Sequence, residues 1–308
     1  MTEIETGSRA RAQGAPLGPG SILWSVAGDP RGLLTGSAAG IMQLMLPGLG
    51  AGVTDHSNFF DDPYDRIFRS IPYIWGSIFS EGDEADRRGR QIRDFHPDIK
   101  GTDDRGRGYH ALDPEVFWWA HATFTWEFFR AHELYFPGRL DAARQAQLYA
   151  ETVTWYRRYG VSDRVVPPTL ADFWERFHHI CAHELEPTPA VRWVLDPSTN
   201  PGPSPPPGLP GPLSALDGVV ARAGADVLRL LVIGCLPDIV RRRFDLSWSH
   251  LDRVRYVGIC AALQAADPAV RRGAMSGLWP EGTPHLDPTD RTRVVVAGPN
   301  PRQGSRSQ

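Results

Sequence analysis

The chain has 308 residues, 41 % hydrophobic and 22 % charged, with a formal net charge of −3. It is long enough to bury a substantial core, and a pI near 6.4 sets up no field that would draw nucleic acid or an anionic membrane surface. The three cysteines, Cys181, Cys235 and Cys260, lie far apart with no CxxC pair, which argues against a zinc ribbon or a disulfide framework.

Residues 1–20 are polar, rich in Gly, Ala and Arg, and carry no apolar run, so they read as a disordered segment without a secretory signal. The longest apolar runs, 36–52 and 227–236, are too short or too broken by Gly and Pro to span a bilayer. The expectation is a soluble, cytoplasmic protein with no transmembrane segment. Residues 33–46 form an apolar helix with Gly36, Ser37, Ala39 and Gly40 along one side, where a neighbour can approach the backbone closely. Pro47-Gly48 is expected to stop it, and the stretch to Pro63, which contains His56, reads as a turn-rich connection.

Asp62-Pro63 is a helix start, an N-cap residue followed by proline at the first position. On the helix that runs to about 79, Arg66, Ser70 and Tyr73 share a face with Arg69 beside them. Ile67, Ile71, Ile74 and Ile78 form the apolar stripe, and Pro72 predicts a kink. The next helix, 81–95, delivers His96. In RQIRDFHPDIKG, Ile92, Phe95, His96 and Ile99 recur at helical spacing, which aims the imidazole at the core, and Pro97 ends the helix. Residues 100–108 read as a polar turn. Asp113-Pro114-Glu115 starts another helix, to about 135, whose aromatic residues wrap nearly all round and mark it as central and buried. His121 lies within it.

Amphipathic helices follow at 141–159 and 167–185. Eight prolines crowd into 196–212, a surface excursion inside the domain. Helices return at 218–234, 237–244 and 248–266. The tail, 284–308, reads as frayed, with 293–296 the only strand candidate. The fold expected is a single all-α domain, 21–283, of about ten helices.

Two constellations carry chemistry. Arg66, Arg69, His96 and His121 come from three successive helices rich in aromatics. A buried guanidinium there needs an anion, whether a ligand carboxylate or a neighbour such as Asp62, Asp65 or Asp113. Separately, Glu175, His178, His179, His183 and Glu184 share one helix end. His179 and His183 stand at i, i+4, a chelating spacing, and Glu175-x-x-His178 is half of a di-iron bundle motif. This second cluster would make the chain a non-haem iron or zinc enzyme. No dinucleotide, P-loop or nucleophile-elbow signature is present, and each cysteine is followed by Ala or Leu, so any haem must be held by imidazole.

Read in order, QLMLPGLGAGVTDHSNFFDDPYDRIFRS, RDFHPDIKGTDDRGRGYHALDPEVFWWAHA and GVSDRVVPPTLADF resemble the MpaB-type oxygenase family, related to the rubber oxygenase known as latex clearing protein. LPDIVRRRFDLSWS adds a weaker match, and the resemblance covers about residues 30–265. It implies a globin-like all-α fold holding haem b through one histidine. It assigns His96 as that ligand, with His56 and His121, the other histidines of recurring blocks, as the alternative ligands, and Arg66, Arg69 and Ser70 as the distal segment. Arg69 stands where the rubber oxygenase has lysine and Ser70 where threonine is usual. The carboxylate proposed as base there has no clear counterpart, its region being occupied by Gly50 and its neighbours. By the same resemblance Met42, Phe59, Tyr73, Trp118 and His121 line the pocket. O₂ and an apolar, isoprenoid-like or natural-product small molecule would be the substrates. A haem- or small-molecule-binding protein without turnover would share that pocket.

Overall fold

The Asp113 side chain accepts a hydrogen bond from the Glu115 N–H, and Pro114 fills the first helical position. The longest helix therefore starts where the sequence places it. The computed structural model describes residues 11–61, 63–196 and 217–298, with the backbone alone for 63–68 and 217–223. Among them are thirteen α-helices: α1 (Ile22–Ala27), α2 (Leu33–Met45), α3 (Pro47–His56), α4 (Pro63–Phe79), α5 (Gly82–Asp94), α6 (Pro114–Tyr135), α7 (Ala142–Arg158), α8 (Leu170–His183), α9 (Pro189–Leu195), α10 (Asp217–Cys235), α11 (Asp238–Arg243), α12 (His250–Ala265) and α13 (Asp267–Val270). Ten of these have seven residues or more, and the chain is predominantly all-α.

Helix α6 is the axis. Residues on every side of it are buried, from Phe117, Trp118 and Trp119 through Trp126 and Phe128 to Tyr135, as expected of a helix that is apolar all round. Helices α1, α2, α7 and α12 pack against it. Three of the buried indoles show how such rings are tied to a partner. Trp119 Nε1–H donates to Met42 O at 3.0 Å, Trp75 to Ala27 O at 2.7 Å and Trp155 to Ser77 Oγ at 2.8 Å, which avoids the cost of an unpaired N–H in the interior. Arg31, fully buried, holds Asp29 and Asp267 at 2.8 and 2.7 Å and donates to Tyr135 O at 2.9 Å.

Several local expectations are corrected. The stretch after Pro47 is a helix, α3, set at 98° to the helix before it. Pro47 starts α3 at its first position rather than only ending α2. The glycines serve close packing: a Cβ on Gly50 would lie 2.4 Å from Leu44 O and 2.8 Å from the Thr188 side chain. Thr188 Oγ1–H donates to Leu44 O at 2.8 Å and Glu186 N–H to Met45 O at 2.8 Å, so the 186–188 strap satisfies the carbonyl end of α2. Helix α4 runs unbroken through Pro72.

The polar turn at 100–108 belongs to an antiparallel hairpin, β1 (Lys100–Thr102) with β2 (Gly108–His110). The tail also pairs, β3 (Pro284–Leu286) with β4 (Val294–Val296), and buries Leu286. Residues 11–20, read as disordered, lie along α7: Ala15 N–H donates to Ala150 O, and Arg157 donates to Ala12 O at 2.6 Å. The proline-rich 197–212 stretch and Asp62 lie outside the described residues. No single helix among the described residues is long and apolar enough to cross a membrane. The residues 30–45 and α3 pass that test only as a bent pair.

Candidate active site

Helix α5 ends at Asp94, so Phe95 and His96 fall in the closing turn instead of on a continued buried face. Phe95 is 53 % exposed and His96 half-buried, which corrects the expectation of a core-directed imidazole. The turn nevertheless fixes the ring. His96 Nδ1 stands 2.7 Å from Ile92 O, and because a carbonyl only accepts, Nδ1 is the donor. Pro97 stops the helix, and its carbonyl receives the imidazole of His110 at 3.1 Å, which braces the turn against the β1–β2 hairpin.

Aromatic rings connect His96 to the interior. Phe117, on the first turns of α6, meets the His96 ring edge-on at 5.9 Å between centroids, and Tyr159, at the end of α7, meets Phe117 at 5.3 Å. His121, one turn further along α6, packs against Trp155, Tyr156 and Tyr159 at 4.6, 5.0 and 5.7 Å. Two histidines from successive helices thus flank one group of rings from α6 and α7. His121 is buried, its Nε2–H donates to Thr152 O at 3.0 Å, and its Nδ1 has no partner among the described residues. Burial pushes its pKa down to about 3, so the ring is neutral and Nδ1 is a permanent acceptor.

On α4, Arg69 is exposed rather than packed among aromatics, Ser70 is half-buried, and the Arg66 side chain lies outside the described residues. Tyr73 projects from the same helix and meets Phe95 edge-on at 5.2 Å. The remaining candidates are dispersed. Met42 is sealed in the seam between α2 and α6. Trp118 packs against Phe173 at 6.3 Å with the Arg176 guanidinium 4.0 Å above its ring, on the side of α8. His56 ends α3 beside the hairpin, with Nε2 3.2 Å from Lys100 O, and Phe59 packs on Trp193 at 5.6 Å.

The α8 cluster is a surface feature. The His179 and His183 rings lie tilted against each other with centroids 4.8 Å apart, and His179 Nε2 is 3.7 Å from Glu184. No group of three or more His, Cys, Asp or Glu able to hold a metal ion occurs among the described residues. Burial pushes the neighbouring Cys181 thiol up to about 12, which leaves it protonated and inert. Outside α6, an open groove of about 830 Å³ is lined by Lys100, Arg107, Val116, Trp119, Arg176 and Glu184.

Sequence reasoning missed the α7 rings, although Trp155, Tyr156 and Tyr159 stand close together in the chain. It also missed Glu127, a carboxyl on the most apolar helix. Glu127 is buried, and both its oxygens lack a partner among the described residues.

Residues 24–265 match the family model described as ER-bound oxygenase mpaB/B'/rubber oxygenase, catalytic domain. The chain belongs to the MpaB/rubber oxygenase family. Its helices from α2 through α12 all fall inside the matched span, so both histidines and the α7 rings belong to the oxygenase catalytic domain. Two mycobacterial relatives, the uncharacterized proteins Rv2237 of Mycobacterium tuberculosis and Mb2261 of Mycobacterium bovis, are each 26 % identical over 243 residues, 76 % of this chain and 88 % of theirs. No solved structure matches.

Proposed function

We propose that this member of the MpaB/rubber oxygenase family is a haem b-dependent oxygenase that uses O₂ on an apolar, isoprenoid-like or natural-product small molecule, and that His96 would hold the haem iron. The hydrogen bond from His96 Nδ1 to Ile92 O carries the reading. A ligating imidazole donates its other N–H to a carbonyl or carboxylate, which fixes tautomer and orientation, and the donor set at the end of α5 suits that demand. Haem, when bound, supplies the oxygen chemistry.

The chain's own residues supply the rest. Phe117, Tyr156 and Tyr159 form an apolar wall that excludes water. Tyr73 and Phe95, both exposed, offer an apolar approach for a substrate of matching character. His121 stays neutral and keeps Nδ1 as a buried acceptor beside those rings. By the family resemblance, Arg66, Arg69 and Ser70 of α4 would supply cations and a hydroxyl suited to a propionate.

The test is a spectrum. Purified protein titrated with haemin should develop a Soret band that His96→Ala abolishes and His121→Ala retains. A band that survives His96→Ala and disappears in His121→Ala transfers the ligand to α6. O₂ uptake dependent on an added alkene separates an oxygenase from a passive haem binder.

A further inference from the structure

Helix α12 presents an apolar stripe to solvent. Its inward face carries the buried Tyr256 and Cys260. Turned away from them, Leu251, Val254, Gly258, Ala261, Ala262 and Ala265 recur at helical spacing, and all are exposed. Leu251 is 64 % and Val254 54 % exposed, with Val257 at the stripe's edge 59 % exposed. From Tyr256 to Ala266 there is no charged residue. A helix face turned to water ordinarily carries charge, and a continuous apolar one marks a contact surface. A Cβ placed on Gly258 would meet no atom within 4 Å, so among the described residues nothing packs on the middle of the stripe.

The pattern of sizes identifies the occupant. The large residues, Leu251 and Val254, lie in the first half of the stripe and the small ones in the second. A second α12 laid antiparallel across a two-fold axis at Gly258 sets Leu251 against Ala265 of the second copy and Val254 against Ala262 of the second copy. The same operation fills each small half with the other's large half, as a self-complementary two-fold contact requires. Glycine at the axis lets the two backbones approach. Charge agrees: His250 comes to the carbonyl end of the opposite helix, its negative pole, while Arg255 is held at the stripe's margin by its ion pair with Asp226 on α10. We propose that the exposed α12 stripe is the contact face for a second copy of this chain, packed antiparallel about Gly258. A 16-residue helix is about 24 Å long, so the stripe with its α10 margin stays below the roughly 800 Å² per partner of a standard interface. A contact of that size belongs with weak, transient interfaces.

Sedimentation velocity of the full chain, from low to high micromolar, tests this. A concentration-dependent monomer–dimer shift is expected, with Val254→Glu and Ala261→Glu monomeric throughout and unchanged in circular dichroism. Gly258→Cys treated with diamide, which accepts the two electrons and two protons released by a thiol pair, should give a covalent dimer. Leu251→Cys should not, because the two-fold axis separates its two copies by about 21 Å. Four results overturn the proposal: a chain monomeric at every concentration, a dimer that survives Val254→Glu, equal crosslinking at positions 251 and 258, or a monomer that instead binds phosphatidylcholine vesicles.

Discussion

Replacing Glu127 with glutamine should change how the protein's stability depends on pH. The Glu127 carboxyl is buried in α6 against Gly36, where a Cβ would lie 3.3 Å from Oε1. Burial alone drives its pKa well above the ordinary 4.5, so the native protein keeps a proton that the unfolded chain loses above about pH 4.5. Between those limits stability falls by about 1.4 kcal/mol for each pH unit gained. His121 acts the other way. Its native pKa, about 3 against 6.5 when unfolded, means that unfolding takes up a proton below pH 6.5, so stability rises with pH up to that point. Burial lowers His132 in the same sense.

The opposing slopes offset each other between about pH 4.5 and 6.5, and above 6.5 only the Glu127 decline remains. Glu127→Gln removes it. From pH 6.5 upward the variant should gain on wild type by about 1.4 kcal/mol for each pH unit below the native pKa of Glu127, which burial holds well above 4.5. Urea unfolding followed by circular dichroism, at half-unit steps with m-values checked for constancy, measures the difference. The Cys181 thiol, pushed up to about 12 by burial, is common to both proteins and cancels, whereas Cys235, which burial and then Glu127 raise, titrates too high to matter below pH 8. Parallel pH profiles for the two proteins would refute a neutral, buried Glu127.

Two further substitutions probe the frame around the site. Gly50→Ala drives a methyl into Leu44 O and Thr188 and should cost about 1–3 kcal/mol in urea unfolding, the range for overpacked positions; an unchanged midpoint would show that α2 and α3 can separate freely. Asp29→Asn leaves the fully buried Arg31 with Asp267 as its remaining carboxylate partner and should cost about 3 kcal/mol, read as a lower urea midpoint at constant m.

Local signals were legible in the sequence. The α6 start at Asp113-Pro114, its all-round burial, and the termination of α5 near Pro97 all follow from the chain read a few residues at a time. The α3 helix was not legible, because three glycines and Pro47 argue locally for a turn. Only its packing against Leu44, Tyr109 and Thr188 makes those small residues favourable there. His96 illustrates the boundary of helical periodicity: the pattern Ile92, Phe95, His96, Ile99 holds on a helix, but α5 closes at Asp94 and Phe95 turns outward. The tautomer-fixing bond to Ile92 survives because it needs only the last turn. The ring group shared by His96 and His121 depends on α7 lying across α6, a long-range pairing that spacing within one helix does not encode.

The corner between α2 and α3 also bears on the order of folding. Its carbonyls are satisfied by Thr188, 144 residues further along the chain, so the last turn of α2 is completed only after α8 has packed and the strap behind it has arrived. Contacts of such sequence separation close late, since the loop entropy is lost before the bond forms. Native geometry at the α2–α3 corner therefore reports on the arrival of residues 186–188, well into the second half of the matched domain.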